Sequence, residues 1–190
     1  MTTIKSRLST MPVATHYRGD WFQTHSGLAF YHQDPRPEDI RIGDIAHALS
    51  MLCRFGGHSK HFYSVAQHSV LVSSIVARHL QLSALLHDAT EAYIGDMVHP
   101  LKESMPAFRE MEDTIWLCIA DKFNLPLRMD ARIKDADWIA LATERRDLMS
   151  NPPMPWRVQE RFTPLQNKID PQSPAIAERM FLTRFHELTK

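Results

Sequence analysis

Ala84-Leu85-Leu86-His87-Asp88-Ala89-Thr90-Glu91 is the stretch on which the fold turns. Three apolar residues run straight into an imidazole and an adjacent carboxylate. On a helix, Ala84, His87, Asp88 and Glu91 fall at i, i+3, i+4 and i+7 and share one stripe. Burying a His-Asp pair is costly unless the pair is compensated or binds a metal. A nitrogen donor beside a carboxylate suits a borderline divalent ion such as Zn, Mn, Co, Fe or Ni. The spacing predicts a helix over about 83–94, closed by Gly95.

Reading outward, the neighbouring segments are helical too. Asp44 is positioned to N-cap a helix over about 45–54, which Gly56-Gly57 stops. A second helix is expected over about 64–80, the 83–94 helix follows, and a fourth starts near Pro106 and ends before Pro126. A fifth covers about 130–149, where Asn151-Pro-Pro-Met-Pro-Trp156 breaks it. Ser173-Pro174 opens a last helix to about Leu188. Residues 1–43 are irregular or extended, with prolines at 12, 35 and 37, and Trp21 to Tyr31 reads as a hairpin about Ser26-Gly27. The expected architecture is all-α: one domain with an N-terminal hairpin (1–43), a helical core (44–150), and a proline-rich connector with a C-terminal helix (151–190).

Two further core-facing positions carry ionisable groups. His68 lies with Leu71, Val72 and Ile75 at i+3, i+4 and i+7. Asp137 lies with Ile133, Ala140 and Leu141 at i−4, i+3 and i+4, although Asp135, nearer the helix start, is a competing choice. A single histidine on an apolar face is ordinarily a satisfied core residue, and a His-Asp dipeptide is common. The joint pattern, one such group per helix on the core side, points instead to a metal with room left for water and substrate.

Composition sets the limits. The chain has 190 residues, enough for one well-buried core. Lys plus Arg and Asp plus Glu both number 22, so nothing favours broad nucleic-acid or anionic-membrane binding. No stretch approaches the roughly 20 apolar residues of a membrane helix. The N-terminus lacks the apolar core of a signal peptide, so a cytoplasmic protein is expected. The two cysteines, Cys53 and Cys118, are far apart and read as reduced thiols.

The ordered set His68, His87-Asp88-x-x-Glu91, Gly95-Asp96, Pro100-Leu-Lys102 and Lys134-x-Ala-Asp137 resembles the HD-domain phosphohydrolases. The branch it most resembles holds bacterial 5′-deoxynucleotidases and phage-type deoxynucleotide hydrolases. The resemblance covers about residues 45–150. It implies an HD-domain helical bundle and one divalent transition metal on His68, His87, Asp88 and Asp137, selecting Asp137 over Asp135. It also implies catalytic roles for Glu91 and Asp96, and a phosphate-binding pair, Arg54-Phe55. An arginine there suits bidentate phosphate contact. Lys102 is a second phosphate candidate, and His58, close to Arg54, a further one.

The activity implied is hydrolysis of a deoxynucleoside monophosphate. A rival is a dATP or dNTP triphosphohydrolase releasing triphosphate, with a second Mg or Mn ion as an added possibility. A non-catalytic nucleotide sensor is the alternative of another class. The partner expected is the small nucleotide itself, and family members commonly form homo-oligomers. Trp21 and Phe22 can stack on a base and Gln23 can read a base edge, but packing of the hairpin is the more ordinary role for such aromatics.

Overall fold

Burial of apolar helix faces organises the protein, as a computed structural model that describes residues 17–156 and 161–190 shows. Residues 1–16, with Pro12 and His16, and residues 157–160 of the connector lie outside the described residues. The hairpin is present: β1 (Phe22–Gln23) pairs antiparallel with β2 (Ala29–Phe30), Phe22 opposite Phe30 and Gln23 opposite Ala29. The helices are α1 (Ile42–Met51), α2 (Val65–Ile75), α3 (Gln81–Leu85), α4 (Glu91–Ile94), α5 (His99–Glu103), α6 (Pro106–Lys122), α7 (Ala131–Leu148) and α8 (Pro174–Leu188). The fold is mainly helical with a small hairpin. No helix among the described residues is long and apolar enough to cross a membrane.

The central helix α8 packs against α1, α2 and α3, and α7 packs against α2. Phe30, Ile45, Leu49, Ala66, Leu85, Ile115 and Phe181 belong to the main core. A second core joins Val72 of α2, Ala84 of α3, and Ile133, Ala136 and Ala140 of α7. Burying an aliphatic side chain of this size contributes roughly 1.5–3 kcal/mol. The second core holds α2, α3 and α7 together, so the ionisable residues next to it in sequence are brought to one place.

Four expectations need correction. Asp44 does not cap α1, which begins two residues earlier, after Arg41. Its carboxylate is taken: Oδ1 accepts from the Ser26 amide at 2.6 Å and Oδ2 from the Ser26 hydroxyl at 2.8 Å. It therefore clamps the hairpin turn to α1. Helix α2 stops at Ile75 rather than near Leu80, because Val76 and Ala77 are extended. The Gln81 side-chain Nε2 there donates to the Val76 carbonyl at 3.2 Å. The short helix α5 was not anticipated.

The fourth correction bears on the site. Residues 83–94 are not one helix: α3 and α4 flank a turn that carries His87 and Asp88. The bonds from Ala89 to Leu86 and from Glu91 to Asp88 span three residues instead of four. The cause is local. His87 Nδ1 donates to the Ala84 carbonyl at 2.8 Å, the acceptor that an α-helix would give to the Asp88 amide.

The aromatic hairpin seats itself on α4. Phe30 stacks on Tyr93 with centroids 4.1 Å apart, and Phe22 meets Phe30 edge-on and stacks with His32. Since Asp44 is almost fully buried, Asp44→Ala is expected to lower the unfolding free energy by about 2–3 kcal/mol. Ser26→Ala, which spares the amide bond, is expected to cost about 1 kcal/mol. Urea denaturation followed by circular dichroism measures both, and equal losses would contradict the clamp.

Candidate metal centre and cleft

The four candidate ligands arrive from three separate places in the chain. His68 is fully buried on α2, a helix capped by Ser64, whose hydroxyl accepts from the Gln67 amide at 3.1 Å. His87 and Asp88 come from the turn between α3 and α4, and Asp137 from α7. His68 Nε2 lies 3.3 Å from His87 Nε2, 3.4 Å from Asp88 Oδ2 and 3.2 Å from Asp137 Oδ1. His87 Nε2 is 3.2 Å from Asp88 Oδ2. Ligands each about 2.0–2.2 Å from a shared ion stand roughly 3–3.5 Å apart. The spacing fits that requirement, and His68, His87 and Asp137 can hold a metal ion.

The outer hydrogen bonds make the case stronger. His68 Nδ1 donates to Glu144 Oε1 at 2.6 Å, and His87 Nδ1 donates to the Ala84 carbonyl. In their neutral forms both rings therefore turn an Nε2 lone pair toward the other. Two lone pairs 3.3 Å apart repel unless a proton or a cation is shared between them. A carboxylate or carbonyl behind each ligating histidine is the usual way to fix its tautomer and raise its basicity.

Glu144, absent from the sequence-derived set, is fully buried. Besides His68 it accepts from Arg54 NH2 at 3.1 Å. A signal existed: Glu144 is seven residues after Asp137, two turns along the same inward stripe of α7. The loop before α2 delivers Arg54. The Arg54 amide donates to Tyr63 O at 2.9 Å, the Val65 amide to Leu52 O at 3.1 Å, and the Lys60 amide to Leu148 O at 2.8 Å. Phe55 follows at φ 58°, a left-handed conformation costing a non-glycine residue about 1 kcal/mol.

Asp88 and Asp137 line a cleft of about 480 Å³ whose walls include Arg54, Phe55, Glu91, Asp96, Trp138 and Trp156. A second cavity of about 540 Å³ opens on the other side, sharing Asp88, Lys102, Lys134 and Asp137. Burial raises the Glu91 carboxyl well above the usual range, and the charges of Asp88 and Asp96 add to it. Burial also raises Asp96, against the pull of Arg54. Burial and the Arg54 charge lower His68, but Glu144 and Asp137 outweigh them and push it up to about 9. Burial lowers His87. Asp137, despite its burial, is held well below the usual carboxylate range by His68.

No protein-family model matches the sequence. The chain is 45% identical over 172 residues to the Escherichia coli (strain K12) protein YfdR, covering 90% of this chain and 96% of YfdR. The chain belongs to the YfdR family. It is also 38% identical over 126 residues to the Rhodobacter capsulatus protein RCAP_rcc00048, across 61% of this chain and 64% of that protein. Both relatives are described as uncharacterized proteins.

In this family member the residues singled out from sequence divide in two. Asp88, Asp137, Glu91, Asp96, Arg54 and Phe55 line the cleft, His68 and His87 join Asp137 in the candidate metal cluster, and Asp135 is exposed. Lys102 lines both cavities but is held by Glu112 at 2.5 Å. Trp21, Phe22, Gln23 and His58 are not in the cleft wall. Trp21, Gln23 and His58 are exposed, and Phe22 packs within the hairpin. Trp138 and Trp156 line the cleft together with Phe55. No periodicity within α7 or the connector announces that they share it.

Glu144→Gln is expected to weaken binding of a divalent transition metal by about 10- to 100-fold, read by competition with a chelator. Unchanged affinity in a folded variant would show that His68 needs no carboxylate behind it. Metal binding should also depend on pH. Below about 9 the metal-free His68 carries a proton that an ion must displace. Apparent affinity is therefore expected to rise with pH, by about tenfold per unit between pH 7 and 8.5, and to level near 9. Calorimetry in buffers of different ionisation enthalpy counts the proton released, and a flat profile would contradict the assignment.

Proposed function

We propose that the protein is a metal-dependent phosphohydrolase of the HD-domain type that hydrolyses deoxynucleoside 5′-monophosphates. One observation carries this reading. One imidazole Nε2, from His87, and two carboxylates, from Asp88 and Asp137, converge within 3.2–3.4 Å of His68 Nε2, beside the arginine that shares Glu144 with His68. His68, His87, Asp88 and Asp137 would hold one divalent transition ion: Zn, Co, Mn, Fe or Ni. Such an ion, when bound, polarises a phosphate oxygen and makes water more acidic.

The chain's own residues do the rest. Arg54 NH1 stands 3.6 Å from Asp88 Oδ2, so its guanidinium is placed to meet the phosphate that approaches the same carboxylate. Asp96 accepts the proton of the attacking water as the new bond to phosphorus forms. Glu91, kept protonated by burial, gives its proton to the sugar oxygen as the bond from phosphorus to that oxygen breaks. Orthophosphate and a deoxynucleoside leave, and proton exchange with solvent restores both carboxyl groups. Lys102 and Lys134 add positive charge at the cleft edge.

Purified metal-loaded protein is expected to release one orthophosphate per deoxynucleoside monophosphate, and Asp137→Ala to reduce this to background. Triphosphate released from dNTPs, with no orthophosphate from monophosphates, would replace this reading with triphosphohydrolase activity. Stoichiometric metal and nucleotide without turnover across several metals would leave a nucleotide sensor.

A further inference from the structure

The cleft is chemically lopsided. Its metal end carries Asp88, Glu91, Asp96 and Asp137. Its other end is lined by Phe55, Trp138, Trp156, Val98, Leu141 and Met149. The three aromatic residues come from three segments: the loop before α2, helix α7, and the connector after α7. Phe55 and Trp156 have ring centroids 6.2 Å apart at 53°. Trp138 is braced by Phe162, nearly parallel at 6.4 Å, and by His99 edge-on at 6.4 Å.

None of the three aromatics is fully buried, so their position is not explained by core packing alone. Phe55 holds its place at the cost of a left-handed backbone. The exposed Lys134 ammonium lies 4.8 Å from the Trp138 ring centre while donating to Asp137 at 2.8 Å. A flexible cation over an aromatic face shows that the face can be reached by a group other than a core side chain.

We propose that Trp138 and Trp156, with Phe55, form the nucleobase subsite of this protein. The base takes the Trp138 face that Lys134 now covers, and its phosphate points at Arg54 and the ligand cluster. The two indole N–H groups are the hydrogen-bond donors of these three side chains, and none of the three carries a strong acceptor. Stacking accepts every base, so the subsite selects for the presence of a base and not for its identity. The substrate class is thus planar-tailed phosphomonoesters, deoxynucleotides of either ring type, over bare sugar phosphates. This rests on the phosphohydrolase reading for the direction in which substrate lies.

The test uses the full chain loaded with metal, with dAMP, dTMP and deoxyribose 5-phosphate as probes. Two readouts are taken: hydrolysis, and quenching of tryptophan fluorescence on titration. Wild type is expected to prefer both nucleotides to deoxyribose 5-phosphate in kcat/KM and to be quenched only by the nucleotides. Trp138→Leu and, separately, Trp156→Leu are expected to reduce that preference by about 5- to 100-fold, mostly through KM, and to weaken the quench. Activity on dAMP with the preference unaltered in both variants would overturn the subsite and leave the phosphohydrolase reading standing. Nucleotide-specific quenching lost in the variants, without hydrolysis by wild type, would support the subsite and overturn the phosphohydrolase reading. Equal losses on all three probes would assign the tryptophans a structural role and overturn the proposal.

Discussion

A single buried carboxylate constrains the arrangement. Glu144 has no solvent exposure, and taking an unpaired carboxylate out of water costs several kcal/mol. Arg54 and His68 compensate it, one on each oxygen. The pairing therefore locks three pieces of chain: α7, α2, and the loop between α1 and α2. It also decides which nitrogen of His68 faces the other ligands. Break it, and the loss extends beyond an ion pair to the tautomer of a metal ligand and the pose of a guanidinium.

The same trade appears at His87 on a smaller scale. Its ring takes the Ala84 carbonyl and with it the continuity of the helix. The helix is given up for a fixed imidazole, and the tight turn that results sets Asp88 beside the ring at 3.2 Å. The break between α3 and α4 thus has a cause in the site. Aligned peptide bonds yield to ligand orientation where the two compete. The apolar contacts of Ala84 with α2 and α7 keep the turn in place.

Much of this was legible in the sequence, and the failures have physical reasons. Period 3.6 on α7 put Asp137 inward correctly, and the family resemblance chose it over Asp135, which the fold leaves exposed. The same period reaches Glu144, but an inward glutamate has no meaning until Arg54 and His68 are seen to meet it. His87 and Asp88 were found through a continuous helix that does not exist. Three-residue and four-residue spacings put neighbouring side chains on nearly the same face, so the stripe survived the error. Asp44 looked like a cap because a cap needs only local chain, whereas its real partner, Ser26, is 18 residues away. The aromatic residues of the cleft wall were not legible for the same reason. Trp21 and Phe22 are conspicuous in sequence, while Trp156 reaches Phe55 only after the connector folds back.

This contrast separates the two ends of the cleft. The ligand end is built from helices and one tight turn, backed by a packed core and by the hydrogen bonds of Glu144 and the Ala84 carbonyl to the two imidazoles. The aromatic end is built largely from the segments at 54–57 and 149–156, which contribute no buried residue to either core and share the cleft wall with Trp138 of α7. On the proposed reading, reaction geometry requires the first kind of support and recognition of a base tolerates the second. Substitutions in those segments would then retune which tail is accepted without disturbing the donor set. Changes in α7 can do neither alone, because Asp137, Trp138 and Glu144 stand on one helix within two turns.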